Sequence, residues 1–458
     1  MNTIIVISVL PIVLLYLGLY KMQKALLPVT VIGLLVALGL AIAQWNTGAV
    51  PQYSGMLLFN NFSVAFSVVA IVSTILILLL SKDYFERISN HIAEYYAIIL
   101  FSLAGVIVMV SYYNLTMLFI GIEIMSVSLY ILAGIKKNDF ASNEAALKYF
   151  LMGAFSTGFL LFGFTLIYGS TGSFSLEKIQ SFVLAQRTLS PMLCVGVMLV
   201  IVGLCFKVGV APFHFWTPDV YEGAPSLITA FMSTVSKTAS FAAFLRLFSI
   251  CFPLLSNIWS PALIVIAIIT LFIGNITALY QQSFKRMLAY SSISHAGYLL
   301  FAILSLGAAS GNTILVYATA YSIASIIAFG ALILVQQETN SDTFDSFNGL
   351  GRKNPFLAFV LTVAMLSLAG IPLTAGFIGK FYAFNMAMGQ LHIALLVIAV
   401  INAIISIFYY FRVIIAMYFR SAEREQIAVS PYYAFVLGFA ALATIVIGVY
   451  PQLISGLI

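Results

Sequence analysis

The chain predicts an all-α polytopic membrane protein of about 14 transmembrane helices, and three observations carry that expectation. Only 7% of its 458 residues are charged, against about 25% in an ordinary soluble domain. Hydrophobic residues make up 62% of the chain, and the mean hydropathy is +1.11. The apolar residues gather in runs of about 20, the length at which a helix crosses hydrocarbon, and helices are the spanning form such runs allow.

Taken in order, the runs lie near 3–20, 26–44, 60–80, 94–111, 113–134, 146–169, 192–221, 226–252, 259–280, 291–308, 313–336, 355–386, 392–419 and 431–456. The first has no basic segment before it and no small-residue cleavage site after it, so it reads as a retained span. Lys and Arg then orient the chain. With the N-terminus outside, inside loops collect Lys21, Lys24, Lys82, Arg87, Lys136, Lys137, Lys285, Arg286, Arg352, Lys353, Arg420 and Arg424, whereas outside loops hold Lys178 and Arg187. Under the positive-inside rule this places both termini on the outer face of the membrane. The net charge of +6 is thereby explained by topology; the clustered basic stripe that nucleic-acid binding requires is missing.

Two spans are long and interrupted. Cys205-Phe-Lys207-Val-Gly-Val-Ala-Pro212-Phe-His214-Phe-Trp-Thr-Pro218-Asp219-Val-Tyr-Glu222-Gly-Ala-Pro225 and Leu368-Ala-Gly370-Ile-Pro372-Leu-Thr-Ala-Gly376-Phe-Ile-Gly-Lys380 each carry proline within an apolar run. Proline removes an amide donor and clashes with the preceding turn, so the helices are expected to break near Pro212 and Pro372. Interrupted spans at corresponding places in two halves are the pattern of an inverted-repeat transporter. Two inverted five-helix repeats follow, spans 4–8 and 9–13, with broken helices at spans 7 and 12. The expected division is an N-terminal three-helix segment 1–93, a first repeat 94–252, a second repeat 259–419 and a C-terminal helix 431–458, all within one transmembrane domain.

Charges inside spans carry the functional information, because each costs about 2.5–3.5 kcal/mol at bilayer depth. Glu123, Lys207, Lys237 and Lys380 lie within apolar runs, and Lys148 lies just inside span 6, four residues after Glu144, the spacing of a helical ion pair. Arg246 and Arg412 read as helix-tying residues. His214 and His295 read equally as hydrogen-bonded core residues or as relay groups. A desolvated ammonium holds its proton less firmly and a nearby carboxylate restores that hold, so buried lysines beside an acid form a proton relay. Broken helices let backbone and water line the path without exposure to lipid.

Other chemistries find no support. Cys194, Cys205 and Cys251 stand singly, without metal or cluster spacing, and HExxH, GxSxG and GxxxxGK[ST] patterns are absent. The acidic loop residues Asp342 and Asp345 read as a solvated connection.

The motif Lys207-Val-Gly-Val-Ala-Pro212-Phe-His214-Phe-Trp-Thr-Pro218-Asp219-Val-Tyr-Glu222-Gly-Ala-Pro225, followed by Thr234-Val-Ser-Lys237, resembles the signature of the subunit N family of bacterial NADH-quinone oxidoreductase, respiratory complex I. Glu144-Ala-Ala-Leu-Lys148-Tyr-Phe, Phe284-Lys285-Arg286-Met-Leu-Ala-Tyr-Ser-Ser-Ile-Ser-His295 and the Gly370 to Lys380 motif resemble it in the same order, so the likeness covers nearly the whole chain. The resemblance implies an antiporter-like, proton-translocating subunit with no cofactor or metal of its own. FMN, iron–sulfur clusters and quinone then belong to partner subunits, and adjacent antiporter-like and small membrane subunits are the expected neighbours. It further implies Glu123 and Lys207 as an interacting pair, Lys148 as a relay, Lys237 as the central lysine and Lys380 as the residue of the second break, with His295 as a link between the last two. Protons would pass from cytoplasm to outside. The alternatives of the same mechanical class are an Mrp-type Na+/H+ antiporter or a membrane-bound hydrogenase subunit; Asp219-Val-Tyr-Glu222-Gly-Ala-Pro225 favours complex I.

Overall fold

A computed structural model describes residues 2–89, 91–185, 190–390, 393–421 and 427–458; Arg187 and Arg424, used above for topology, lie outside them. Apolar runs become helices throughout. They are α1 (Asn2–Leu19), α2 (Gln23–Ile42), α3 (Asn61–Leu79), α4 (Ile92–Ser111), α5 (Leu115–Ala133), α6 (Phe140–Thr171), the short α7 (Leu176–Ala185), α8 (Pro191–Val208) and α9 (Trp216–Gly223). A continuous crossing follows, made of α10 (Ser226–Phe231), a π-turn at Met232–Ser236 and α11 (Lys237–Cys251). The second half contains α12 (Ser256–Leu279), α13 (Phe284–Ser305), α14 (Ser310–Thr339), the single turn α15 (Leu350–Lys353), α16 (Pro355–Ala369), α17 (Ala375–Gln390), α18 (Ile393–Phe419) and α19 (Pro431–Val449). Among the described residues, 13 helical segments are long and apolar enough to cross a membrane. The remaining crossing is the broken pair α16/α17, giving the expected antiporter-like architecture.

Helix starts differ from the apolar runs where a polar cap lies outside the run. The Asp139 side chain accepts from the Ala141 amide, so α6 begins at Phe140 and not near 146. Ser283 accepts from the Arg286 amide, so α13 begins at Phe284. Lys285 and Arg286, expected in a loop, therefore belong to the first turn of α13. A cap satisfies amides that the apolar run does not account for.

Both long helices do break, but a glycine and not the proline sets the position. Gly209 (φ +70°) ends α8 and Gly370 (φ +81°) ends α16. Gly209 donates to Phe206 O at 3.0 Å and Val210 to Cys205 O at 3.1 Å; Gly370 donates to Ser367 O and Ile371 to Leu366 O, both at 3.0 Å. These are two copies of one Schellman ending, which needs a left-handed residue. Pro212 and Pro372 then prevent the helix from resuming at once.

The loops alternate between two ends. At one end the turns after α3, α5, α12, α14 and α18 meet: Ser283 pairs with Thr343, Asp83 bonds Tyr433, and Arg420 pairs with Asp345 at 3.4 Å. Lys82, Lys136 and Lys137 lie in these turns, making this the basic end. At the other end a two-residue ribbon, β1 (Pro51–Gln52) with β2 (Leu57–Leu58), pairs antiparallel and bridges to Tyr112. There α7, whose Leu176, Ile179 and Val183 are buried at helical spacing, lies between α6 and α8. This surface helix was not foreseen, because its mixed composition merged into a polar loop.

Burial separates the centre from the rim. The most apolar window of the α10–α11 crossing is 100% buried and those of α13 and α14 are 94%, whereas those of α1 and α2 are 28%. Close backbone contact joins the units: a Cβ on Gly163 of α6 would meet Gly196 O of α8 at 2.8 Å, the kind of small-residue contact that packs membrane helices.

Candidate functional site

Buried ammonium groups form a row through the centre. Lys207 closes α8 and is 6% exposed; its Nζ donates to Ser126 Oγ at 3.0 Å and to Tyr130 OH at 3.5 Å. Glu123, Ser126 and Tyr130 follow one another at three and four residues on α5, so they share a face. The Glu123 carboxylate accepts from Thr157 Oγ1 at 3.0 Å. Among the described residues it forms no ion pair with Lys207; one helical turn and a serine separate the two groups.

Lys148 does pair with Glu144 at 2.7 Å, and it also reaches Asp219 Oδ2 at 2.7 Å. Arg286 of α13 holds the other Asp219 oxygen at 3.0 Å and Glu222 at 2.5 Å. This network ties α9 to α6 on one side and to α13 on the other. Sequence spacing revealed the intrahelical pair alone, because the other pairs are 64 or more residues apart.

Lys237 is the first residue after the π-turn. Its ammonium donates to Ser292 O at 2.8 Å and Ser292 Oγ at 2.5 Å. Three residues further along α13, His295 Nδ1 lies 2.7 Å from Tyr317 OH and its Nε2 lies 3.1 Å from Tyr410 OH, which also bonds Ser291. Another three residues on, the ring of Tyr298 lies beneath Lys380 Nζ at 5.5 Å. One strip of α13 thus runs from Lys237 past His295 to Lys380. Lys380 belongs to α17, yet its ammonium returns to Ala369 O at 2.7 Å, the last residue of α16, and reaches Ser406 Oγ at 3.4 Å. A helix C-terminus favours a cation.

None of Lys207, Lys237 and Lys380 forms an ion pair among the described residues. Each of their bonds as a charged donor is worth about 1.5–3 kcal/mol, so two such bonds offset the insertion cost of about 2.5–3.5 kcal/mol. The lysines are stable as placed without a fixed counter-charge. Between them, His214 Nδ1 and the hydroxyls of Thr217, Tyr221 and Ser294 are buried without a hydrogen-bond partner among the described residues, and such groups bind water. A cavity of about 10 Å³ between His295, Tyr321, Ser367 and Gly376 is near the smallest that holds one water.

The arginines are placed differently. Arg246 donates to Tyr112 O at 3.0 Å and to Asn60 Oδ1 and Ser63 Oγ at 2.9 Å, fastening α11 to the ribbon segment and the start of α3. Arg412 donates to Gln281 O at 2.8 Å and Gln282 Oε1 at 2.7 Å, at the end of α12. Lys285, expected in a loop, is 5% exposed and donates to Glu222 O and Ala224 O at the end of α9. Among the described residues no group of three or more His, Cys, Asp or Glu side chains could hold a metal ion.

Residues 112–406 match the family described as NADH:quinone oxidoreductase/Mrp antiporter, TM. The chain is 40% identical to NADH-quinone oxidoreductase subunit N of Flavobacterium psychrophilum, over 100% of both proteins. It is 43% identical to the subunit N of Trichlorobacter lovleyi, over 98% of this chain and 94% of that one. Among solved structures, a chain of respiratory complex I from Thermus thermophilus superposes with a TM-score of 0.83 at 32% identity, covering 98% of each. A chain of an Mrp complex from a Dietzia species superposes with a TM-score of 0.88 at 19% identity, covering 99% of this chain and 95% of that one, a likeness of fold.

Proposed function

The chain belongs to the NADH:quinone oxidoreductase/Mrp antiporter family, and from that membership and its row of buried lysines we propose that it is the proton-translocating subunit N of a bacterial NADH-quinone oxidoreductase. Its relatives are subunits of multi-subunit membrane complexes, so it acts as one part of an enzyme whose NADH-to-quinone electron transfer takes place on partner chains. FMN and iron–sulfur clusters are assigned to those partners. Identity of 40% along the full length to subunit N favours this reading over the sodium/proton antiporter, whose likeness is one of fold.

The observation that carries the reading is the sequence of ammonium groups solvated by neutral oxygens, with unpartnered hydroxyls between them. Lys207, Lys237 and Lys380 each release and regain a proton, and hydroxyls with bound water carry it between them. Glu123 acts as the acid that tunes Lys207 through the Ser126 turn, and Lys148 acts at the basic end, where Asp219 and Glu144 hold it. His295 joins Lys237 to Lys380 along α13. Protons enter from the basic, cytoplasmic end and leave at the other, where both chain termini lie. The two repeats correspond to residues 94–252 and 259–419, flanked by 1–93 and 431–458. The test is Lys207→Met in the complete complex: proton pumping and coupled quinone reduction fall while the complex still assembles. Unchanged pumping in an assembled complex would reduce this chain to a scaffold.

A further inference from the structure

A cavity of about 770 Å³ opens at the basic end, lined by the turn after α3, the turn after α5 and the end of α14. Its floor contains Tyr84, Gln336 and Gln337. Gln336 Oε1 accepts from Ser226 Oγ at 2.9 Å, and Ser226 is the first residue of α10. Gln337 Nε2 is buried without a hydrogen-bond partner among the described residues. The Tyr84 phenol faces the amides of Ser226 and Leu227; burial pushes it up to about 12 against their opposing pull, so it stays a neutral hydroxyl. The floor therefore carries donors and acceptors but no charge.

Behind that floor the polar side chains continue. Ser226, Thr229 and Ser233 follow at three and four residues along α10 and the π-turn, in the stretch that leads to Lys237 at the start of α11. All are buried, as is Tyr321 of α14, which lies against Ser233, Ser292 and Ser325. Ser292 is the residue that Lys237 holds. From Ser226 to Lys237 is 11 residues, about 16 Å of helix, the reach of a short chain of hydroxyls and water.

We infer that this cavity is an aqueous proton inlet to Lys237, separate from the route through Lys207, and that the Gln336–Ser226 contact is its gate. The inference rests on the relay reading of Lys237. When Gln336 holds Ser226, the hydroxyl is committed to the glutamine oxygen; when it turns away, Ser226 accepts a water and the chain to Lys237 is continuous. His91, Glu94 and Asp139 supply titratable groups near the mouth, where His91 and Glu94 pair at 3.2 Å and Asp139 caps α6. The basic Arg87, Lys136 and Lys137 at the rim favour transfer along water over the arrival of a hydrated cation.

The test uses the whole complex in inside-out membrane vesicles. Gln336→Leu puts an apolar side chain that water does not wet between the cavity and Ser226, and is expected to slow coupled quinone reduction and proton uptake about tenfold, about 1.4 kcal/mol in barrier, with Gln336→Asn restoring most of the rate. Normal rates in Gln336→Leu, alongside failure of Lys237→Met, would overturn the inlet and leave the relay standing; normal rates in both would overturn the relay itself. Should Gln336→Leu fail to assemble, Gln337→Cys treated with a membrane-impermeant cationic thiol reagent from the cytoplasmic side decides. Slowing of that variant beyond the untreated and cysteine-unchanged controls supports the inlet, and no slowing overturns it.

Discussion

At the scale of single residues, an ammonium held by hydroxyls differs from one held by a carboxylate. Lys207 rests on Ser126 and Tyr130, with Glu123 one turn away and occupied by Thr157. In the proposed relay the carboxylate therefore acts at a distance that a small turn of either side chain changes. Glu123→Gln is expected to lower quinone reductase activity with no loss of assembled complex, measured as rate per complex; Thr157→Val, which frees the carboxylate, is expected to have a smaller effect. Arg246 makes the opposite case. Its bonds to Tyr112, Asn60 and Ser63 join separate segments, and each is worth about 1.5–3 kcal/mol. Arg246→Met should reduce the amount of complex in the membrane, while the complex that forms pumps normally. The charged residues of the row were legible because charge is rare in apolar runs. Lys285 was not: next to Arg286 after a turn it reads as topology, and the α9 carbonyls that receive it come from another part of the chain.

At the scale of elements, the broken helices were foreseen from proline and are built by glycine. Alanine at Gly209 or Gly370 faces a left-handed backbone, which costs about 1–2 kcal/mol. At Gly370 the added Cβ would also stand 2.6 Å from Lys380 Cδ. Gly370→Ala is thus expected to impair pumping and to lower the thermal stability of the complex, both measurable on purified enzyme. Gly209→Ala meets Thr217 Oγ1 at 2.7 Å, with its main effect on stability. The π-turn before Lys237 had no sequence signal, since Met232–Ser236 contains neither proline nor glycine. Starts of α6 and α13 were misplaced because polar caps lie outside the apolar runs that revealed the helices.

At the scale of the whole molecule, the Lys148–Asp219–Arg286–Glu222 network joins α6, α9 and α13, so the second limb of one broken helix is fastened to both halves. The side chains are partly exposed, and exposed pairs are worth about 0–1 kcal/mol each. Asp219→Asn should therefore leave assembly intact and slow turnover, more at low ionic strength than at high, where screening already weakens the wild-type network. Tags at both termini should be reached by antibody in right-side-out vesicles, as the outer placement requires. Composition and the lengths of the apolar runs were sufficient for the membrane class and the number of crossings. The contacts between repeats were hidden because they depend on side chains far apart in sequence.

The placement of Lys380 has a consequence for which ion moves. Its nitrogen lies at the C-terminal end of a half-helix, bonded to a main-chain carbonyl and a serine hydroxyl, the kind of oxygen setting in which broken-helix carriers coordinate a free sodium ion. Here the cation is fixed to the chain by its own side chain. A tethered cation cannot cross; in the proposed relay it surrenders only the hydrogen it carries, which would place the choice of proton over sodium in a covalent bond.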